Sequence, residues 1–495
     1  MKAGDNRTTI DSSSNKEPAN LQAPARFFQK YQIILLSFVI EALVFILWQC
    51  KDIQPLPMWD GTYYIRYSLN SVFPPVYPLL IIIARTVLPT GVLAAEVVSI
   101  FFLCASVVAV FYLAKHFTTT CWAFAAAIFA GFNPLSIRLG TETLSEATYL
   151  FFILLALLLY AGTLATSEKP WHLYSVGISL SIAYFTRPEA VVLLVALLTI
   201  YYLKRKNLRR LLLLAGGFAS VLFLVVLGIY TATGDVVITR KTVNFRVMDP
   251  TNWVANETRQ ESQSLSAITR STLQNYPTNF LDEASNLIKF VGVPAILLAL
   301  YYLFKKKTFL IAALAEFFVY PVFTGLALPE RFVYPYIPVF GILAVASISN
   351  YAPKNTRLVL LILFLGGTLT GFSVLTTIQE PFPEQIAAGI TLKPFVNHNT
   401  IILDRKPYSC FYAGLSPEYN YEPIPPSQPI DSVIHYAELT HANYLVLDRP
   451  IIRIFRPELE PLFDPSVRSR YARKLQLFRD IFPDKAFEVL IFKVL

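Results

Sequence analysis

The chain has 495 residues, 55% of them hydrophobic and only 15% charged, with a formal net charge of +9. A soluble domain carries about 25% charged residues, so this composition excludes an ordinary soluble globule, a disordered chain and a fibrous repeat. The four cysteines, Cys50, Cys104, Cys121 and Cys410, are too few and too scattered for a disulfide framework.

An α-helical polytopic membrane protein is what remains, and the chain can be read in that light from its start. Residues 1–26 are polar, with three consecutive serines, and read as a disordered cytoplasmic tail. The first apolar run, 31–49, is long enough to cross about 30 Å of hydrocarbon as a helix. It is too long for a signal peptide, and no small-residue cleavage site follows it. A shorter apolar stretch at 76–89 is flanked by prolines and carries Arg85, which points to an interfacial helix that does not span. Ten further spans are expected at 92–114, 120–138, 143–164, 171–186, 188–203, 211–232, 286–304, 308–327, 332–349 and 356–377, giving eleven in all.

The positive-inside rule tests that count. With the amino terminus in the cytoplasm, Lys115, Lys169, Lys204-Arg205-Lys206, Lys305-Lys306-Lys307 and Lys354 with Arg357 all fall in cytoplasmic loops. The basic excess is therefore a topology signal, and no nucleic-acid partner is expected. A plasma-membrane (cell inner membrane) protein follows, with outer loops at 51–91 and 233–285. The transmembrane domain is 27–378, and 379–495 is a soluble tail with 13 basic and 14 acidic residues. Strand-like runs at 400–403, 444–447 and 487–492, with helical patterns at 431–442 and 467–482, predict a small extracytoplasmic α/β domain.

Polar groups are costly in a bilayer, so charge in or beside the spans marks candidate chemistry. Asp60, Arg66, Arg138, Glu142, Glu146, Arg187, Glu189, Glu330 and Arg331 all sit at the outer membrane edge, from distant parts of the chain. Arginines grip phosphate and the spans hold lipid, so the expected ligand has an anionic head and an apolar tail. Asp60 sits beside aromatic residues in Trp59-Asp60-Gly61-Thr62-Tyr63-Tyr64, where it is either a general base or part of an Asp-Gly turn. Glu146 opens a span, either as a second working carboxylate or as an acid favoured by the helix dipole. Arg187, next to Pro188, and Arg331, in a turn bounded by Pro329 and Pro335, form a candidate phosphate clamp; snorkelling to the headgroups is the plainer alternative. No P-loop, His-Glu-x-x-His or Cys-x-x-Cys motif is present, and the five histidines are scattered.

Five segments together resemble the GT-C superfamily of membrane glycosyltransferases, especially the bacterial relatives of protein O-mannosyltransferase and of the lipid A aminoarabinose transferase. They are Trp59 to Tyr64, Pro74-Pro75-Val76-Tyr77-Pro78, Ser145-Glu146-Ala147-Thr148-Tyr149, Thr186-Arg187-Pro188-Glu189 and Glu330-Arg331-Phe332-Val333-Tyr334-Pro335. The resemblance covers roughly residues 30–377 and rests on their order and spacing. It implies inverting transfer of a sugar from a polyprenyl-phosphate donor to an envelope glycolipid, glycan or protein acceptor outside the cytoplasm. Asp60 would then be the base and Glu146 the second acid. Arg331 and Arg187 would hold the lipid phosphate, with Arg138, Glu142, Tyr63, Tyr64 and Tyr77 lining the substrate site. Protein mannosyltransferases of this kind often carry Asp-Glu where this chain has Asp60-Gly61, which argues against a protein acceptor. No cofactor is required by this chemistry, and a divalent ion at the acids is left open. A transporter or flippase of a lipid-linked or anionic substrate, or an envelope-glycan polymerase or ligase, is the alternative.

Overall fold

A computed structural model describes residues 27–51, 59–69, 71, 73–165, 170–234, 265–306, 308–323, 330–366, 383–425, 428–483 and 487–495. The tail at 1–26, the outer-loop stretch 235–264 and the end of the last expected span lie outside the described residues.

The first long helix, α1 (Gln32–Cys50), is followed by a short α2 (Trp59–Ile65) and by α3 (Val76–Ala84). Nine residues of α3 rise only about 13 Å, so the interfacial reading of this segment agrees with its length. Helices α4 (Gly91–Ala114), α5 (Thr120–Gly131), α6 (Pro134–Thr141), α7 (Glu146–Ala165), α8 (Pro170–Tyr184), α9 (Ala190–Arg205) and α10 (Leu208–Thr233) continue the bundle. It is completed by α11 (Leu265–Val291), α12 (Val293–Lys306), α13 (Ala315–Phe323), α14 (Tyr336–Tyr351) and α15 (Arg357–Gly366).

Four of these, α1, α4, α7 and α10, are long and apolar enough to cross a membrane, and two bent pairs bring the number to six at most. Among the described residues the expected eleven continuous spans are not met. The stretch 120–138 is broken by a 56° bend between α5 and α6. Asn133 causes it: its side chain caps the amide of Leu135, and Pro134 cannot continue the preceding helix. The stretch 286–304 is broken more sharply, by 104°, at Gly292, whose φ of +83° favours glycine. The polar stretch 233–285, expected to be a loop, turns helical at Leu265 and runs on to Val291. Its polarity argued against spanning, not against helix, and Tyr276 and Asn279 pin it to the backbone carbonyls of Phe318 and Pro321. Breaks inside the bundle are tolerated because neighbouring helices supply hydrogen-bond partners for the freed groups.

Helices cannot be drawn together by hydrophobicity within lipid, so close backbone packing matters more. It is clearest where α8 crosses α10. A Cβ on Gly177 would lie 2.1 Å from the carbonyl oxygen of Leu214, and one on Gly217 would lie 2.0 Å from that of Tyr174. Only reciprocal glycines permit that crossing.

One end of the bundle is tied by Lys115 to Gln32, Asn350 to the carbonyl of Phe117, and Arg357 to the carbonyl of Ser349. The basic last turns of α9 (Lys204, Arg205) and α12 (Lys305, Lys306) close helices whose first turns start away from that end. The acids and arginines singled out above gather at the opposite end.

The tail forms a small α/β unit. Its sheet has strand order β2-β1-β3-β5-β4, with β1 (Ile402–Asp404), β2 (Tyr421–Pro423), β3 (Tyr444–Asp448), β4 (Leu475–Ile481) and β5 (Val489–Val494). Strand β1 runs parallel to β2 and β3, and β5 is antiparallel to β3 and β4. Alternate residues face two cores, Leu403, Leu445 and Leu447 on one side, Ile402 and Val446 on the other. Helix α16 (Pro383–Leu392) covers the second face; between β1 and β2 come α17 (Tyr408–Tyr412) and α18 (Pro417–Asn420), and α19 (Ile430–Leu439) covers the first. The expected strands at 400–403, 444–447 and 487–492 correspond to β1, β3 and β5. The expected helix at 467–482 is helical only at its start, in Pro465–Arg468 and the 3-10 turn Ser469–Tyr471, and then becomes β4: edge strands bury little, so Leu475 is the one buried residue of β4 and the alternation is faint.

At the carboxyl ends of the parallel strands two acids are buried, Asp404 and Asp448. Asp404 accepts from Ser409 and from the Arg405 amide, and Asp448 accepts from Gln385. Burial, and then the nearby charge of Asp448, pushes the Asp404 carboxyl well above the usual carboxylate range. A raised folded-state value means that this group's contribution to stability is full below its unfolded value, about 3.9, and is lost as pH rises through the folded one. Asp404→Asn is therefore expected to stabilise the tail domain at pH 7–8 and to flatten its pH dependence. Thermal unfolding of the detergent-solubilised protein at pH 5 and pH 8 checks this; an unchanged pH slope would show that Asp404 does not carry the buried charge.

Candidate active site

The site is built on α2, the first turn of α7, the turn between α8 and α9, and a short 3-10 turn at Glu330–Val333 before α14. Asp60 sits in the first turn of α2. A Cβ on Gly61 would come within 2.1 Å of Thr143 Oγ1 and 2.9 Å of the Thr143 carbonyl oxygen. Glycine is thus required for α2 to lie directly on the turn that precedes α7, and this close approach fixes where Asp60 points.

The tyrosines secure that approach. Tyr64 is buried, with its hydroxyl 3.3 Å from Ser145 Oγ and its ring edge-on to Tyr77. Tyr77, fully buried on α3, donates to Ser99 Oγ at 2.9 Å, with the carbonyl oxygen of Ala95 3.2 Å from its hydroxyl. Ser99 in turn donates to the Leu144 carbonyl. Tyr63 is half-buried against Phe73. Tyr64 and Tyr77 thus brace the floor beneath Asp60 and Glu146.

Four of the expected residues form one ionic chain. Arg331 Nη1 lies 2.9 Å from Asp60 Oδ2, and its Nε lies 3.7 Å from Glu146 Oε1. Arg187 Nη1 donates to the same Glu146 oxygen at 2.6 Å, and its Nη2 reaches Glu189 at 3.2 Å. Glu146 and Arg187 are 3% and 6% exposed, so this pair is a buried one. The Arg187 guanidinium also stacks over Tyr149 and Phe332.

A second chain runs alongside. Arg138 Nε donates to Glu142 at 2.8 Å and Arg138 Nη1 reaches Glu330 at 3.4 Å. Lys289, near the end of α11, pairs with the other oxygen of Glu330. Because Glu330 and Arg331 are neighbours in one turn, the two chains meet there.

Among the described residues several buried polar atoms here find no hydrogen-bond partner: Glu146 Oε2, Glu142 Oε2 and Arg331 Nε. Buried polar groups are normally satisfied, so their convergence marks a place for a polar ligand. For a divalent ion the donor set is not assembled: among the described residues no three His, Cys, Asp or Glu side chains converge to hold a metal.

Comparison with known proteins bears on this arrangement. Residues 73–231 match the family model described as dolichyl-phosphate-mannose-protein mannosyltransferase. The chain is similar to the crystal structure of ArnT from Cupriavidus metallidurans bound to undecaprenyl phosphate, with a TM-score of 0.57 and 11% identity over 93% of this chain and 97% of that one. The chain has the GT-C fold. A second GT-C structure, the Archaeoglobus fulgidus oligosaccharyltransferase tethered with an acceptor peptide, is similar with a TM-score of 0.57 and 12% identity, over 86% of this chain and 70% of that one. The archaeal oligosaccharyltransferase AglB from the same organism, in complex with an inhibitory peptide and a dolichol-phosphate, aligns with a TM-score of 0.52, 12% identity and the same coverage. No curated protein matches by sequence.

Within this GT-C fold, three members of the site stand outside the set that the sequence assigns to catalysis and substrate binding, Lys289, Glu330 and Glu189, the last held against Arg187. Lys289 lies inside a stretch that reads as a membrane span, where an ionisable side chain is itself a functional signal. Glu330 is visible in sequence as one of the outer-edge charges but without a role, although it is the acid on which Arg138 and Lys289 both converge.

Proposed function

We propose that the protein transfers a sugar from a polyprenyl-phosphate donor to an envelope glycolipid, glycan or protein acceptor at the outer face of the plasma membrane, with inversion at the anomeric carbon. The observation that carries this reading is the chain Asp60–Arg331–Glu146–Arg187, drawn from four distant segments to one end of the bundle and edged by polar atoms awaiting a ligand. The basic ends of the helices gather at the opposite end, as expected if that end faces the cytoplasm.

In this mechanism the acceptor hydroxyl attacks the anomeric carbon from the face opposite the phosphate. Its oxygen forms the new glycosidic bond as the carbon–oxygen bond to phosphate breaks, and the electron pair leaves with the phosphate. Asp60 takes the acceptor proton. Arg331, held by Asp60 on one side and Glu146 on the other, lies where it can offset charge on the leaving phosphate, and Arg138 and Lys289 extend that positive edge. Arg187 sits deeper and holds Glu146 in place. Because phosphate is already a leaving group, no nucleotide is needed. Much of the acceleration comes from holding two membrane-confined substrates in register.

The test is consumption of polyprenyl-phosphate sugars in membranes that contain the protein, followed over a panel of sugars. Turnover of one donor with formation of a glycosylated product supports the reading. Movement of lipid-linked substrate across vesicles without any transfer would replace it with transport.

A further inference from the structure

Among the described residues the site holds five carboxylates, Asp60, Glu142, Glu146, Glu189 and Glu330, against four cations, Arg138, Arg187, Lys289 and Arg331. A phosphate added to this set would enter a region that already has an excess of negative charge. One carboxylate must give way, and the acids are not equally free to do so. The side chains of Glu142 and Glu146 are 3% and 4% exposed, whereas that of Glu330 is 29% exposed, the largest value among the five. Glu330 sits on a single 3-10 turn and uses both of its oxygens on cations, Lys289 on one and Arg138 on the other. An anion bridging two cations from a short, partly exposed turn has the form of a bound phosphate oxyanion.

Resting on the donor reading above, we propose that Glu330 is an internal stand-in for the donor phosphate. It neutralises Lys289 and Arg138 while the site is empty, swings to solvent when the lipid phosphate arrives, and returns to help expel the phosphate left after transfer. The exchange preserves the charge of the site at each stage, and it keeps Lys289 and Arg138 paired between turnovers. It also makes Glu330 a competitor for the product, so the affinity of the site for polyprenyl phosphate is held down by a residue that touches neither the acceptor nor the anomeric carbon.

The experiment measures binding of undecaprenyl phosphate to the full-length protein in detergent, with undecaprenol as the phosphate-free control. Glu330→Gln is expected to bind the phosphate about two- to fivefold more tightly, the scale of one screened charge pair removed from competition. Glu330→Asp, which keeps the charge but shortens the reach, is expected to fall between the two and guards against a folding defect in the first variant. In a Lys289→Gln background the gain is expected to shrink, because the cation that Glu330 guards is gone. Turnover by Glu330→Gln is expected to show stronger inhibition by added undecaprenyl phosphate. If the protein prefers undecaprenyl phosphate over undecaprenol but Glu330→Gln and Glu330→Asp bind it no more tightly than wild type, the exchange is overturned and the donor reading stands. If no variant, wild type included, prefers the phosphate over the alcohol, the donor reading fails and the exchange fails with it.

Discussion

Asp60→Asn is expected to lower sugar transfer by about 10²–10⁴-fold while leaving donor binding within a small factor of wild type. The substitution nearly preserves shape. An asparagine oxygen at the same place still accepts from Arg331 Nη1, now 2.9 Å from the carboxylate, so the guanidinium keeps its place. What is lost is the capacity to take a proton from the acceptor. The measurement pairs turnover in membranes, at matched expression, with donor affinity on the same preparation. A variant that turns over at the wild-type rate would remove Asp60 from proton transfer and leave Glu146 as the acid to test next. A variant that loses both turnover and donor binding would instead assign Asp60 to holding Arg331.

The second large effect is expected at Arg187. Its guanidinium is the close partner of Glu146, and both are nearly inaccessible to solvent. Removing one member of a buried ion pair strands the other, which costs about 3–5 kcal/mol. Arg187→Met should therefore destabilise the protein by roughly that amount, seen as faster thermal inactivation in detergent. Activity should fall further than stability explains, because Glu146, freed from Arg187, draws Arg331 more strongly and loosens its hold on Asp60. The double variant Arg187→Met with Glu146→Gln, which removes both charges, is expected to recover most of the lost stability and little of the activity. Equal inactivation rates for wild type and Arg187→Met would show that the pair does not support the fold.

The amino-acid sequence makes some parts of this arrangement legible and hides others, and the difference has physical causes. The outer-edge acids and arginines are visible because charge beside apolar spans stands out sharply, and all of them but Arg66, which turns to Phe411 of the tail, join the two ionic chains. Lys289 is hidden because the polar stretch before it reads as loop and the span around it as continuous. Pro277 lies inside α11, and Gly292 ends that helix with a turn that only the positive φ reveals. Broken helices imitate one long span in a hydropathy profile, since each half is apolar and the break takes one or two residues. In the tail, β1, β3 and β5 are readable because their residues are buried on both faces and form unbroken apolar runs. Edge strand β4 buries only Leu475, and a bulge between Leu477 and Arg479 breaks its alternation, so no period of two shows in Leu475, Leu477, Phe478 and Ile481.

The Asp60-Gly61 pair, a departure from a common Asp-Glu, has no purpose that can be read from the residues alone. Its geometry supplies one, since any side chain at position 61 would collide with Thr143. The missing acid is thus the price of seating α2 so closely.

The small domain meets that same helix from its other side. Ser416 Oγ donates to the carbonyl of Arg66, just past α2, and the Arg66 guanidinium lies over the Phe411 ring. A seven-residue helix has too few internal hydrogen bonds to hold its own shape. Its orientation is set by whatever grips it above and below, here Thr143 beneath and the segments 408–412 and 417–420 above. The aim of the Asp60 carboxylate is thus decided jointly by Thr143 and by a segment of the tail whose Ser416 lies 350 residues from its partner Arg66. Exchanging the tail for that of another protein would leave every acid and arginine of the site in the sequence and still misdirect the carboxylate, like a lens kept whole but moved out of its mount.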